Sequence, residues 1–349
     1  MATLTANKLM FNRKKIGIFL LDHAIEVILI VLIVVLSLSV TGFMTWANWM
    51  NIFRANSLKG VIAFGMTMVI ICGLIDLSIG STVALSGVIV ARACRDFTAG
   101  GMDLTMACII GIAISLALAI AVGYLHGLFS HNAGMPPFIV TLVSLNALYG
   151  LAGMVSGGFP IANQYPDWFN VLGGSRIPIP GFVNSLLGVD SIDGIPVPVI
   201  VLLISFVVVY YIMGYTTIGR AIYATGGNAE SARLSGINVG RTKIICFIAV
   251  QILAVISGIM TSGQVLAGSF SFGRGWELDV ISAVIIGGTS FSPGGIGKVW
   301  GTLLGVIFIG VISNGMTLLN FDIYTQYVVR GIVMFLAVLI SSYRARVKA

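Results

Sequence analysis

The chain has 349 residues, 58% of them hydrophobic and 9% charged, with a mean hydropathy of +1.04 and a formal net charge of +7. Soluble domains carry about 25% charged residues. A soluble fold of this length has too little interior to hide so much apolar surface, so the composition specifies an integral membrane protein. The basic residues cluster beside apolar runs, where they orient a chain in a membrane, and this excludes a nucleic-acid-binding surface as their purpose.

The apolar runs lack the alternation of barrel strands, and lipid leaves the backbone no other partner than its own helix. Met1 to Lys15 reads as a short basic leader with no cleavable signal. Runs at 24–42, 58–75, 79–95, 104–125, 137–155, 196–214, 243–265, 279–291, 299–318 and 325–342 give about ten spans, at roughly 20 residues per crossing. A tight polar turn alone separates the second run from the third, and the eighth is short; broken or re-entrant helices are expected there. The expected fold is all-α and polytopic, a single transmembrane domain over 1–349.

Ten spans put both termini on one side. Lys8, Arg13, Lys14, Lys15, Arg220, Arg233, Arg241, Lys243, Lys298, Arg344, Arg346 and Lys348 then share that side, against Arg54, Lys59, Arg92, Arg95, Arg176, Arg274 and Arg330 on the other. The bias places both termini and the 219–243 loop in the cytoplasm. Arg54 and Lys59 fit this least well. The 156–195 loop faces outward and holds Pro160, Pro166, Pro178, Pro180, Phe159, Tyr165, Trp168, Phe169 and Phe182. It reads as an interfacial cap over the helices more readily than as a docking site. Cys72, Cys94, Cys108 and Cys246 lack metal spacing and read as small buried residues.

Asp76 lies in Gly73-Leu74-Ile75-Asp76-Leu77-Ser78-Ile79-Gly80. An acid at the centre of a span costs about 2.5–3.5 kcal/mol, so it needs a partner or a place out of lipid. Three readings stay open: Asp76 or Ser78 caps the helix that follows, with Gly73 and Gly80 allowing the break; Asp76 lines a pathway; or Asp76 is an ion-coupling group. Ile70-Ile71-Cys72-Gly73 has a weak echo in Ile285-Ile286-Gly287-Gly288, too short to stand as a repeat. Glu277 and Asp279 precede an apolar run and suit a helix N-terminus through its dipole, with substrate contact as the other reading. Gly301 and Gly305 form a GxxxG pair suited to helix packing. Several chemistries are excluded. Gly297-Lys298 sits in no phosphate loop, because Ser292 and Val299 replace its first glycine and its Ser/Thr. His126 and His131 beside Ser130 lack a nucleophile elbow, and no paired metal-ligand spacing occurs.

The 219–243 segment is a polar island between apolar runs, with Arg220, Glu230, Arg233, Arg241 and Lys243. Thr225-Gly226-Gly227-Asn228 reads as a turn and a cap. Ala229, Glu230, Ser231, Ala232, Arg233, Leu234 and Ser235 read as two helical turns, ended by Gly236 before Ile237. Such a helix either transmits force from a soluble partner or is an ordinary solvated connector.

This loop closely resembles the cytoplasmic loop of permease subunits of bacterial sugar ABC importers, the ribose/galactose/xylose group. Gly73 to Gly80 resembles that family's G-I-D-L-S-V-G stretch, with Leu74 at the usual small-residue position and Ile79 for valine. Glu277-Leu278-Asp279 through Ile286-Gly287-Gly288-Thr289-Ser290 resembles its E-L-D-x-I-A-A-x-x-I-G-G-x-S stretch, with Ser282 for the first alanine. Tyr327-Val328-Val329-Arg330-Gly331 also fits, with Arg330 where lysine is common. The resemblance spans about 50 to 340. It implies a non-enzymatic permease in the cell inner membrane, importing a monosaccharide by alternating access. It also implies two ATPase subunits that hold ATP and Mg, a second permease copy or paralogue, and a periplasmic or surface-tethered sugar-binding protein. On this resemblance 228–237 is the coupling helix seated in the ATPase. Sugar hydroxyls then meet uncharged groups, with Thr141, Ser144, Asn146 and Asn314 as candidates. An ion-coupled secondary transporter using Asp76 is the alternative.

Overall fold

The computed structural model describes residues 24–162, 165–179, 194–290 and 294–348. The helices are α1 (Ala24–Ser39), α2 (Trp46–Ile71), α3 (Ile79–Ala99), α4 (Leu104–Asn132), α5 (Pro137–Ser156), α6 (Asp167–Gly173), α7 (Val197–Tyr215), α8 (Thr217–Gly227), α9 (Ala229–Leu234), α10 (Val239–Val265), α11 (Trp276–Ile286), α12 (Val299–Leu318) and α13 (Ile323–Lys348). Two short antiparallel pairs accompany them: β1 (Ile161–Ala162) with β4 (Ala267–Gly268), and β2 (Arg176–Ile177) with β3 (Ile195–Pro196). Every expected run has a helix, and among the described residues six helices are long and apolar enough to cross a membrane. The protein is an all-α, multi-pass membrane protein.

Three helices form the centre. The apolar window of α2 is 78% buried, and those of α10 and α12 are 61% buried, against 22% for α5. The α2 and α12 helices run antiparallel: Thr67 Oγ1 lies 2.6 Å from Thr302 Oγ1, and Asn48 and Asn314 exchange amide hydrogen bonds of 3.1 and 2.8 Å. The α4 and α10 helices are antiparallel too, because Gly123 meets the backbone of Ile248, Gly127 meets Ile244, and Gly240 meets the ring of His131. No side chain on these glycines would fit, so backbones replace side chains at the contact. The core between the central helices holds Phe64, Met66, Ile70, Phe247, Val250 and Val284.

Several sequence expectations need correction. Helix α2 begins at Trp46 under a Thr45 cap, twelve residues before the expected 58. Three of the polar residues that depress its hydropathy have partners: Asn48 bonds Asn314, Asn56 bonds the Ile52 carbonyl, and Lys59 pairs with Asp279. Arg54 and Lys59 therefore sit within a span and not in a loop. Asn314 is a packing residue tied to α2. Helix α10 begins at Val239, so Arg241 and Lys243 belong to its first turns. Thr225, Gly226 and Gly227 are the last turn of α8 rather than a free turn.

The loop after α5 lies at the opposite end of α10 from α9. Phe169 is fully buried and its carbonyl meets Gly263, while Gly173 packs on the Met260 and Gln264 backbone. Tyr165 stacks on Phe169 with ring centroids 4.6 Å apart. This is a cap built on the helix ends. Phe159 is exposed. Pro180, Phe182, Pro293 and the basic leader lie outside the described residues. All four cysteines are buried.

Candidate functional site

Two helix breaks meet inside the bundle. Helix α2 ends at Ile71, and Gly73 takes a φ of +79°, which only glycine adopts without strain. The Gly73 N–H donates to Ile70 and the Leu74 N–H donates to Val69, which closes a Schellman cap. Helix α11 ends the same way, with Gly288 at φ +87° and donors from Gly288 to Ile285 and Thr289 to Val284. The echo between 70–73 and 285–288 is thus a shared way of ending a helix. Ala99 and Leu234 are followed by the same cap, which makes it local chemistry and not a repeat.

Beyond the first break Asp76 is fully buried. Its Oδ1 accepts from the Ser78 N–H at 2.8 Å and the Ser78 hydroxyl at 2.7 Å. Its Oδ2 accepts from Gln251 Nε2 at 2.8 Å, and His126 Nδ1 approaches to 3.4 Å without the alignment of a hydrogen bond. Gln251 Nε2 also donates to Ser78 Oγ at 2.8 Å, and Thr82 donates to Gln251 Oε1 at 2.5 Å. On its far side His126 Nε2 lies 2.8 Å from Ser144 Oγ on α5. Asp76 therefore organises the turn into α3, and Ser78 serves it rather than capping the helix. The cluster also ties the broken segment to α4, α5 and α10. The order Asp76–His126–Ser144 has the connectivity of a hydrolytic triad. Ser144 lies mid-helix, however, where neighbouring N–H groups are engaged in the helix and cannot serve an oxyanion. Ser130, the partner considered from sequence, bonds no histidine.

The second break precedes α11. Gly273 and Gly275 take φ values of +68° and +80°. A Cβ on Gly80 would strike the Gly273 carbonyl, with Glu277 Oε2 at 2.8 Å and the Tyr149 hydroxyl at 3.0 Å. Gly80 therefore lets the start of α3 touch the start of α11. Glu277 and Asp279 lie in the first turn of α11, where the dipole favours acids. Asp279 does more: its Oδ2 lies 2.5 Å from Lys59 Nζ and 3.7 Å from Arg330 Nη1. Gly287 meets the Gly301 carbonyl and Gly305 meets the Ala283 carbonyl, so the GxxxG pair is the seam between α11 and α12.

The third region is the end of the bundle that carries α9. Asn228 caps this helix by accepting from the Ser231 N–H at 2.9 Å. Gly236, at φ +84°, ends it by donating to Arg233, and Ile237 donates to Ala232. Glu230 and Arg233 form an exposed pair at 2.6 Å. The guanidinium holds the Glu230 carboxyl below its ordinary range, first by hydrogen bonding and then by charge. Ala232 is the buried contact to the bundle, whereas Leu234 is 77% exposed. The support beneath is tight. The Gly295 N–H donates to the Ile71 carbonyl at 2.8 Å, a Cβ on Gly226 would collide with that same carbonyl, and the Tyr223 hydroxyl donates to the Gly297 carbonyl at 2.9 Å. Thr289 is buried against Gly297 in the same loop.

Sequence reasoning missed His126 and Gln251 as partners of Asp76, Thr82 as a partner of Gln251, and Lys59 and Arg330 as partners of Asp279. Each lies on a different element from its partner, so no local pattern in the sequence signals the pairing. Thr141 bonds the Pro137 carbonyl and Asn146 the Leu142 carbonyl of their own helix.

Residues 48–338 match the family described as "Branched-chain amino acid transport system / permease component". The ribose import permease protein RbsC of Escherichia coli (strain K12) is 33% identical over 324 residues, covering 93% of this chain and 94% of that protein. RbsC of Bacillus subtilis (strain 168) is 36% identical over 312 residues, covering 89% and 90%. The L-arabinose transport system permease protein AraH of Escherichia coli (strain K12) is 32% identical over 327 residues, covering 94% and 92%. No solved structure matches the chain. The match runs over nearly the whole length on both sides, and the chain belongs to this family of ABC importer permease components.

Proposed function

We propose that this protein is the pathway-forming subunit of an ATP-driven importer that carries a monosaccharide such as ribose or arabinose across the inner membrane by alternating access. The names of its relatives support the substrate class. The observation that carries the coupling mechanism is the construction of α9. It is a short, exposed helix, capped at both ends and braced through Gly226 and Gly295 on the end of α2. A helix held so firmly has no need of a partner to fold, yet Leu234 stands uncovered at its tip. It is the lever on which an ATPase subunit pushes, and the stress passes to the Asp76 break only a few residues beyond Ile71. Two ATPase subunits bind ATP and Mg²⁺, a second permease copy or close relative completes the pathway, and a soluble sugar-binding protein delivers substrate on the other face. The Lys/Arg distribution supports an orientation with both termini and α9 in the cytoplasm.

The test is a cysteine at Leu234 in the assembled transporter. It is expected to cross-link to the ATPase subunit and to react with an impermeant thiol reagent only from the cytoplasmic side. Labelling from the outer side overturns the orientation, and failure to reach the ATPase overturns the lever. Glu230→Arg and Gly236→Pro are expected to leave insertion and ATP hydrolysis intact while abolishing uptake, because proline cannot adopt a φ near +84°.

A further inference from the structure

A cavity of about 390 Å³ lies between α2, α11, α12 and α13. Its wall includes Lys59, Trp276, Asp279, Ser282, Ser313 and Arg330. We infer that this cavity is a sugar-binding station within the membrane, in which Trp276 supplies a flat apolar face and the Lys59–Asp279–Arg330 cluster binds hydroxyls. The inference rests on the monosaccharide reading above and adds the place and the residues.

Depth is the first argument. Lys59 stands midway along the 26 residues of α2, which puts it roughly 20 Å from either end of that helix at 1.5 Å per residue. Charged groups at such a depth occur where they face protein or a water-filled cavity, since lipid exposure costs about 2.5–3.5 kcal/mol each. The backbone agrees. The irregular segment before α11 and the uncapped start of α11 at Gly275 lie beside the same cavity. Non-helical backbone survives at that depth only where it is buried or lines such a space.

The chemistry is the second argument. Asp279 is shared by two cations, which fix its position and keep donors to spare. Arg330 Nε is buried and has no hydrogen-bond partner. Lys59 Nζ lies 5.6 Å from the Trp276 ring centroid, so cation, acid and aromatic face share one space. A sugar offers hydroxyls that both donate and accept, together with a C–H face that lies on an aromatic ring. Ligand pockets span about 300–1,000 Å³, and a volume near the lower limit suits one sugar ring rather than two.

Position is the third argument. Ser313 is next to Asn314, which pairs with Asn48 at the end of α2 away from α9. The cavity therefore extends from mid-depth toward the end where a delivery protein would release its cargo.

The test uses the complete reconstituted transporter and radiolabelled ribose and arabinose. A cysteine replaces Ser313, and after assembly a small neutral thiol reagent fills the cavity. The four native cysteines are buried and serve as a silent background. Modification is expected to abolish uptake by Ser313→Cys while the reagent-treated wild type keeps it and both still hydrolyse ATP. Trp276→Ala is expected to raise the KM for uptake about tenfold, the scale of a lost aromatic contact. Uptake that persists after complete modification, or a Ser313→Cys thiol that the reagent never reaches, overturns the cavity while leaving the importer reading intact. Absence of uptake of either sugar by the wild type overturns the substrate class, and the sugar station with it.

Discussion

Asp76 shows how one buried carboxylate stabilises an irregular backbone. Four groups converge on it, from Ser78, Gln251 and His126. Asp76→Asn keeps the size but replaces one acceptor oxygen with an NH₂ that faces other donors. A buried donor left unpaired costs about 1–3 kcal/mol. The expected result is a lower thermal midpoint for the purified protein in detergent, with Asp76→Ala lower still. Uptake per assembled complex is expected to follow ATP and to ignore an imposed proton or sodium gradient; dependence on either gradient would restore an ion-coupling role to this carboxylate. In the sequence only Asp76 and Ser78 stand out here, because they share one octapeptide. Gln251 lies 175 positions from Asp76 and His126 arrives from another helix, so neither period nor spacing announces the pairing.

The elements that carry motion are the short ones. The end of α8, the loop before α12 and the end of α2 meet through glycines, where Gly226, Gly294 and Gly295 leave room only for backbone. Gly226→Ala would place a methyl on the Ile71 carbonyl and force the two ends apart. It is expected to lower the ratio of sugar imported to ATP hydrolysed, measured on the reconstituted transporter, more than Gly227→Ala does, since a Cβ on Gly227 would meet open space. At Gly236 an alanine would be forced to positive φ, at a cost of about 1 kcal/mol, and is expected to give a milder coupling defect than proline. The capped outline of α9 was legible in the chain, as Asn228 and Gly236 are its ordinary start and stop residues. The last turn of α8 was not, because Thr225-Gly226-Gly227 has the composition of a turn and is held helical by packing on α2 and the 294–297 loop.

At the scale of the whole molecule, α2, α10 and α12 form a buried spine, and α4, α5 and α7 turn apolar faces outward. The spine carries most of the polar contacts between helices, including the Asn48–Asn314 pair. Replacing both asparagines by leucine is expected to leave insertion intact and to change the thermal midpoint little, while Asn48→Leu alone lowers it by stranding Asn314. Such a two-variant comparison, read as unfolding in detergent, separates the value of the pair from the cost of an orphan.

By itself the sequence determined that the chain lives in a membrane, that it crosses as helices in about ten runs, where two of those helices break, and where a polar helix interrupts the apolar pattern. These properties are local: hydropathy, caps and glycines act within a few residues. The tertiary structure alone decided which polar residues find each other. Lys59, a charge that shortened α2 on paper, is neutralised by Asp279 on α11, which lies more than two hundred residues away. A lipid-spanning helix accepts such residues only after its neighbours have packed, and no reading of one segment contains its neighbours.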